Sequence, residues 1–210
     1  QRLLTGKVRL PGFRKEWRRY EIGELVHVVY RNIEWDDDKR YDLVSVRRRS
    51  GGVFFRESLY GHQILTKKLQ PIKENDFLIS KMQVLHGASG IVTKEFEGMF
   101  VSDSYVILNA NPNVLDIHYF NYLSQTPEMY YKAFISSYGV HIEKMTFNLS
   151  WFLKEHVMIP TDLDEQRAIV NILDTISKEI SLQEDHLENL KTQKKGLMQL
   201  LLTGKVRVKC

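Results

Sequence analysis

The chain has 210 residues, 43% hydrophobic and 27% charged, with 30 Lys and Arg against 26 Asp and Glu for a net charge of +4. That length holds one good core plus one extended element, and the absence of any apolar run of about 18 residues excludes a membrane-spanning helix. A single cysteine, Cys210, excludes an internal disulfide framework and fits a reducing cytoplasm. No secretory leader is expected, because the chain opens at Gln1 inside what reads as the tail of a helix.

The positive charge is uneven. Residues 1–20 carry seven bases and one acid, whereas residues 21–161 carry 15 bases and 17 acids. The globular part is therefore not basic overall, and a polyanion partner must be argued from local clusters.

In chain order, residues 3–10 read Leu-Leu-Thr-Gly-Lys-Val-Arg-Leu, and residues 201–208 repeat seven of these eight positions. A repeat spaced by almost the whole chain predicts one unit of a two-unit architecture with approximate twofold symmetry, because solenoid periods are only about 20–50 residues. Pro11-Gly12 then turns the chain into a domain. Ile22–Val29 is expected as a short helix. Strands are expected over Tyr41–Arg47 and Gly52–Arg56 around the turn Ser50-Gly51-Gly52, then over Asp76–Met82, Ser89–Thr93 and Met99–Leu108. Asp116–Gln125 and Pro127–Ser136 read as two helices split by Pro127. Thr146–Lys154 and a strand over 156–159 close the domain.

Residues 162–203 carry the clearest pattern. Asp162 and Glu165 are spaced as a capping box, in which the Asp accepts from the third backbone N–H and the Glu reaches back. From there an apolar seam runs through Ile169, Leu173, Ile176, Ile180, Leu187, Leu190, Leu197 and Leu201, in steps of four and three with Gln183 and Lys194 as polar members. That is coiled-coil spacing. Gly196 is the weak point of the helix, and Gly204 stands where a left-handed C-terminal cap wants glycine. One helix over 165–203 measures roughly 55–60 Å, too long for one domain of this size to cover, so a second helix is expected to pack along it. The expected class is α+β: a globular domain of mixed sheet and helices, followed by a long coiled-coil-forming helix. The expected division is 1–14, 15–160 and 161–210.

No motif argues for chemistry or a cofactor. There is no Gly-x-Gly-x-x-Gly, and the Thr-Gly-Lys-Val strings lack the upstream glycine and the following Ser/Thr of a phosphate loop. One cysteine cannot make a zinc cluster of Cys/His spacing. Asn111-Pro112-Asn113 lacks the second proline and the aromatic of an amino-methyltransferase motif and reads as a turn.

The string His156-Val157-Met158-Ile159-Pro160-Thr161-Asp162-Leu163-Asp164-Glu165-Gln166-Arg167-Ala168-Ile169 opens the heptad helix, and Leu-Leu-Thr-Gly-Lys-Val-Arg closes it. Together they resemble the DNA-specificity subunit of type I restriction–modification enzymes. Pro11-Gly12-Phe13 with Trp17, Ile22-Gly23-Glu24-Leu25, Asn75–Lys81 and Val101–Tyr105 fit the outline of its target-recognition domain. The resemblance covers nearly the whole chain. It implies a non-catalytic subunit with two recognition domains, each reading one half of a bipartite double-stranded DNA target. It also implies two antiparallel helices that set the spacing and dock two adenine-methylating modification subunits, with restriction subunits outside. This sequence holds one domain and one complete helix. It is expected to be a half: either the C-terminal half of a full subunit, which the stub at 1–10 favours, or a half-sized subunit that homodimerises through the long helix.

A DNA reader needs Arg and Lys at phosphates and polar side chains at base edges. The candidates are Arg47, Arg48 and Arg49 beside the Ser50-Gly51-Gly52 loop, Lys81 and Gln83 before the loop 86–90, and Tyr138, His141 and Lys144 in the segment 136–144. The bland alternatives are a solvated strand end, an ordinary turn, and a core tyrosine. Lys39 and Arg40 follow three aspartates, so that loop is expected to be only solvated. Two other readings stay open: a coiled-coil assembly module without DNA binding, and an enzyme with an unrecognised site.

Overall fold

The computed structural model describes residues 1–139, 141 and 145–207. They form two units, Gln1–Ile169 and Val170–Cys210. The segment 1–14 and the start of the long helix thus belong with the globular part.

The first unit opens and closes on one ribbon. Strand β1 (Trp17–Glu21) pairs antiparallel with β12 (His156–Pro160), from Trp17 opposite Pro160 to Glu21 opposite His156. Helix α1 (Ile22–Leu25) is a single turn, and β2 (Val26–Val29) follows. The helix expected over Ile22–Val29 is therefore helix in its first half and strand in its second. Val26, Val28 and Val29 are β-branched and find a partner in β9 (Tyr105–Ala110), and that pairing overrides the local helical spacing.

Two four-stranded sheets make the body. One is ordered β2, β9, β6 (Phe77–Ser80), β7 (Ser89–Ile91). The other is ordered β4 (Val53–Tyr60), β3 (Arg40–Val46), β8 (Phe100–Ser102), β5 (Leu69–Pro71). The single strand expected over Met99–Leu108 is two strands: a turn at Asp103-Ser104 sends β8 to one sheet and β9 to the other. The core lies where the sheets face each other, with Val44, Val46, Ile72, Leu78, Val101 and Ile107 buried together. Edge strand β4 bulges at Arg56, since Leu43 opposes Glu57 and Val44 opposes Phe55. A bulge and charged side chains discourage stray pairing at such an edge.

Helices α2 (Ile117–Leu123) and α3 (Pro127–Ile135) follow. Asp116 caps the first and Thr126 the second, with Pro127 in the first turn of α3, where a missing N–H costs nothing. Phe120 of α2 meets Phe77 of β6 edge-on at 5.0 Å. The short ribbon β10 (Ser137–Tyr138) and β11 (Thr146–Phe147) leads into α4 (Leu149–Lys154). Asn111-Pro112-Asn113 is a turn, with the Asn113 N–H donating to Asn111 Oδ1. The loop of three aspartates is built rather than merely solvated: Asp37 Oδ1 accepts from both Trp35 Nε1 and Lys67 Nζ, and Trp35 stacks on Tyr41.

The long helix α5 spans Leu163–Leu202 and runs through Gly196 unbroken. Its capping box is not the expected one. Asp162 Oδ1 does accept from the Asp164 N–H, but Glu165 does not reach back. Glu165 is fully buried; it accepts from Arg9 Nε and Nη2 and from Trp17 Nε1. Gln166 is equally buried and donates from Nε2 to the carbonyls of Val114 and Pro160 while Oε1 accepts from the Asp116 N–H. Burial pushes the nearby Tyr119 hydroxyl well above its ordinary range, and the charge of Glu165 adds to the effect.

A second buried carboxylate ties the first sheet together. Asp76 accepts from Arg31 Nη1 and Nη2 at 2.5 and 2.8 Å, from Asn109 Nδ2 at 2.7 Å and from the Lys73 N–H at 2.8 Å. Removing one partner of a buried pair strands the other's charge. Asp76→Ala is expected to lower unfolding stability by about 3 kcal/mol, measured by urea denaturation, with Asp76→Asn losing less.

Candidate nucleic-acid interface

The β3–β4 hairpin carries its basic residues at a tip that the backbone cannot adopt cheaply. Arg47 N–H donates to the Gly52 carbonyl to close the turn. Between them Arg49 and Ser50 have φ of +57° and +55°. Two consecutive left-handed residues other than glycine cost about 1–2 kcal/mol each, so surrounding structure must hold them.

That support comes from the loop after β6. Arg49 N–H donates to the His86 carbonyl at 2.6 Å and Ser50 N–H to the Gly87 carbonyl at 2.8 Å. Ser50 Oγ is 2.9 Å from the Tyr130 hydroxyl on α3. Gly87 has φ +69°, and a Cβ there would lie 2.0 Å from the Tyr130 hydroxyl oxygen. Arg47 lies over the Phe54 ring at 4.2 Å. The tip is thus fixed through main chain, while the side chains of Arg47, Arg48 and Arg49 are exposed. Cations on a pinned main chain suit a polyanion, because less backbone freedom is lost when they meet it.

Lys81 begins the same loop. Its N–H donates to the Ser104 carbonyl, and its Nζ donates to the Asp103 carbonyl at 2.6 Å. Lys81 lines a cleft of about 560 Å³ that also takes in Tyr30, Lys67, Lys68 and Gln70. Sequence reasoning missed these. The Lys67-Lys68 doublet was a readable signal, whereas the exposure of Tyr30 depends on how β2 ends.

The other candidates divide. Gln83 is half-buried, and its Oε1 is shielded from solvent without a hydrogen-bond partner among the described residues. Tyr138 is exposed on β10, tilted against Trp151 at 6.0 Å, and His141 is exposed beyond it. Tyr138 pairs with Thr146 in the β10–β11 ribbon, and His141 lies in the segment between the two strands. Lys144 lies outside the described residues. Among the described residues no group of three His, Cys, Asp or Glu is arranged to hold a metal, and no helix is long and apolar enough to cross a membrane.

On α5 the seam divides too. Ile169 is 1% exposed inside the first unit, so it is corrected from a helix–helix contact to a core residue. Leu173 is half-buried. Ile176, Ile180, Leu187, Leu190, Leu197 and Leu201 are each 45–60% exposed.

The sequence profile of the type I restriction modification DNA specificity domain matches residues 14–192. The chain belongs to this family. Such domains are non-catalytic parts of restriction–modification complexes. The fold agrees with solved structures. The HsdS subunit from Thermoanaerobacter tengcongensis superposes with a TM-score of 0.67 at 14% identity, over 92% of this chain and 49% of that one. The type I S subunit from M. genitalium gives 0.59 at 14% identity, over 92% and 47%. A chain of a type I R-M system, solved for its complex assembly and conformational transition, gives 0.57 at 18% identity, over 94% and 48%. This specificity chain spans about half the length of the structures it matches.

The strained tip gives a direct check. Gly87→Ala is expected to cost about 1–3 kcal/mol, through its positive φ and the clash with Tyr130. In thermal or chemical denaturation, adding Tyr130→Ala should recover part of that loss, so that the pair is clearly non-additive.

Proposed function

We propose that this chain reads one half of a bipartite double-stranded DNA target for a type I restriction–modification complex, without catalysing a reaction itself. The observation that carries the reading is the arginine tip, three exposed arginines on a backbone held in a costly conformation by a second loop. Arg47, Arg48 and Arg49 contact phosphates or guanine edges in the groove, and the lysine-lined cleft at Lys67, Lys68 and Lys81 follows the backbone. Tyr138, His141 and Lys144 form a second, separate contact.

In this reading the exposed seam from Ile176 to Leu201 packs against an equivalent helix, supplied by another half-subunit or by a second copy. Fully burying a leucine or isoleucine side chain is worth about 1.5–3 kcal/mol, so six of them support a stable pair. The paired helices space the two half-sites and dock adenine-methylating modification subunits, with restriction subunits joining outside. In this reading residues 15–160 do the recognising, closed by the buried start of α5, and the part of 161–210 beyond Ile169 is the spacer. The complex works in the cytoplasm, in keeping with a single cysteine. No cofactor is assigned to this chain.

The test is a gel shift on a random duplex pool, with cognate modification subunit added, using the wild-type chain and the triple variant Arg47→Ala, Arg48→Ala, Arg49→Ala. The wild type should enrich a half-site. The variant should fold normally yet bind weakly, and the slope of log affinity against log salt should fall by about 2–3 if all three residues neutralise phosphates. Unchanged affinity and slope would favour an assembly module that does not itself touch DNA.

A further inference from the structure

The turn at Asp103-Ser104, where β8 and β9 leave for different sheets, also gathers two lysines. Asp103 N–H donates to the Lys68 carbonyl at 3.1 Å, and Lys81 N–H donates to the Ser104 carbonyl at 2.9 Å. The cleft of about 560 Å³ beside them is walled by both sheets. Val28 and Val29 of β2 and Ile107 of β9 come from one, and Leu69 and Gln70 of β5 from the other. Tyr30 follows β2 and lines the same cleft, yet it is 79% exposed. Its neighbour is pinned: Arg31 N–H donates to Gln70 Oε1 at 3.2 Å, and the Arg31 guanidinium bonds the Pro71 carbonyl and Asp76. An aromatic ring on an anchored main chain loses little freedom when a flat ligand stacks on it.

Polar groups complete the lining. Three lysines, Lys67, Lys68 and Lys81, are set against one acid, Asp103, among the described lining residues. Lys67 lies 2.8 Å from Asp37 in an exposed pair, which solvent weakens. Lys81 Nζ gives one of its three donors to the Asp103 carbonyl. Gln70 Oε1 is taken by Arg31, which leaves Nε2 to donate, and the exposed Asn32 brings both ends of its amide. Ammonium groups suit a phosphate, an exposed tyrosine beside an apolar wall suits a flat base, and carboxamides pair with base edges. The volume falls within the range of about 300–1,000 Å³ usual for small-ligand sites. A base stacked inside a duplex cannot enter such a cleft, so the matching ligand is unpaired.

We infer that this cleft is a binding site for one unpaired nucleotide, with the base on Tyr30 and the phosphate at Lys68 and Lys81. The nucleotide comes either from solution or from a strand that has turned it out; the chemistry recognised is the same. The site goes beyond the duplex reading and does not involve the arginine tip. A mononucleotide titration can therefore fail while the duplex reading stands, and the reverse.

The experiment titrates the full chain with deoxyadenosine monophosphate, followed by calorimetry. A second arm uses a duplex carrying one unpaired 2-aminopurine, followed by the fluorescence of that base, which stacking quenches. The monophosphate should bind, and deoxyadenosine and inorganic phosphate should each bind more weakly. Tyr30→Ala and Lys68→Ala change exposed side chains and should leave the melting temperature in place. Each should weaken the monophosphate at least about fivefold, the low end for losing one base stack or one charged hydrogen bond. A quench that Tyr30→Ala removes, and that a fully paired duplex does not show, assigns the strand as the source. Binding of the monophosphate without such a quench assigns the free nucleotide. The inference is overturned by the absence of both signals, by monophosphate binding unchanged in both variants, or by inorganic phosphate binding equally well.

Discussion

Two adjacent buried side chains, Glu165 and Gln166, hold together the place where the chain enters and leaves its recognition domain. The β1–β12 ribbon brings residues 17 and 160 side by side, but two five-residue strands are marginal alone. Gln166 adds bonds to the carbonyls of Val114 and Pro160 and to the N–H of Asp116, so both its amide ends are used. Glu165 gathers Arg9 and Trp17 from the other side. Neither residue tolerates the loss of a partner cheaply, because a buried polar group left unpaired costs about 1–3 kcal/mol and a charge more. The first turn of α5 is consequently part of the domain's closure, not an appendage to it.

Sequence reasoning made the fold class and the long helix legible, since each rests on local patterns or on a long one in a single element. It failed where distant residues decide. Asp162 and Glu165 have the spacing of a capping box, but Arg9 and Trp17 return to claim Glu165 from more than 140 residues away, and no window sees that. Ile169 fits the heptad by number, yet the domain buries it first. Val26–Val29 joins β9, and Met99–Leu108 is divided between two sheets, because pairing rather than propensity chooses among short apolar runs. At the candidate interface the arginine triplet stood out as charge, and its tip geometry did not. Arg49 and Ser50 are ordinary residues in left-handed conformations that only His86, Gly87 and Tyr130 make tenable.

The near-neutral charge of the domain does not set the field at the tip. Many acids are already matched within the fold: Asp76 by Arg31, Glu165 by Arg9 and Asp37 by Lys67. At physiological salt, exposed charges more than about 8 Å apart are largely screened. What any anion brought to the hairpin would meet is therefore governed by Arg47, Arg48 and Arg49 and their close neighbours. Rigidity then matters as much as charge, because three long flexible side chains on a loose loop would lose more freedom on binding than three on a pinned one.

The seam on α5 shows how one spacing can serve two ends. Ile176, Ile180, Leu187, Leu190, Leu197 and Leu201 recur at intervals of three, four and seven along one helix, the spacing of a surface that a single further helix would cover, and each is 45–60% exposed. Ile169 belongs to the same series, yet the first unit buries it. The heptad spacing is therefore continuous through the helix while its burial is not: the same periodicity that would suit a partner helix beyond Ile176 first anchors α5 in the domain at Ile169.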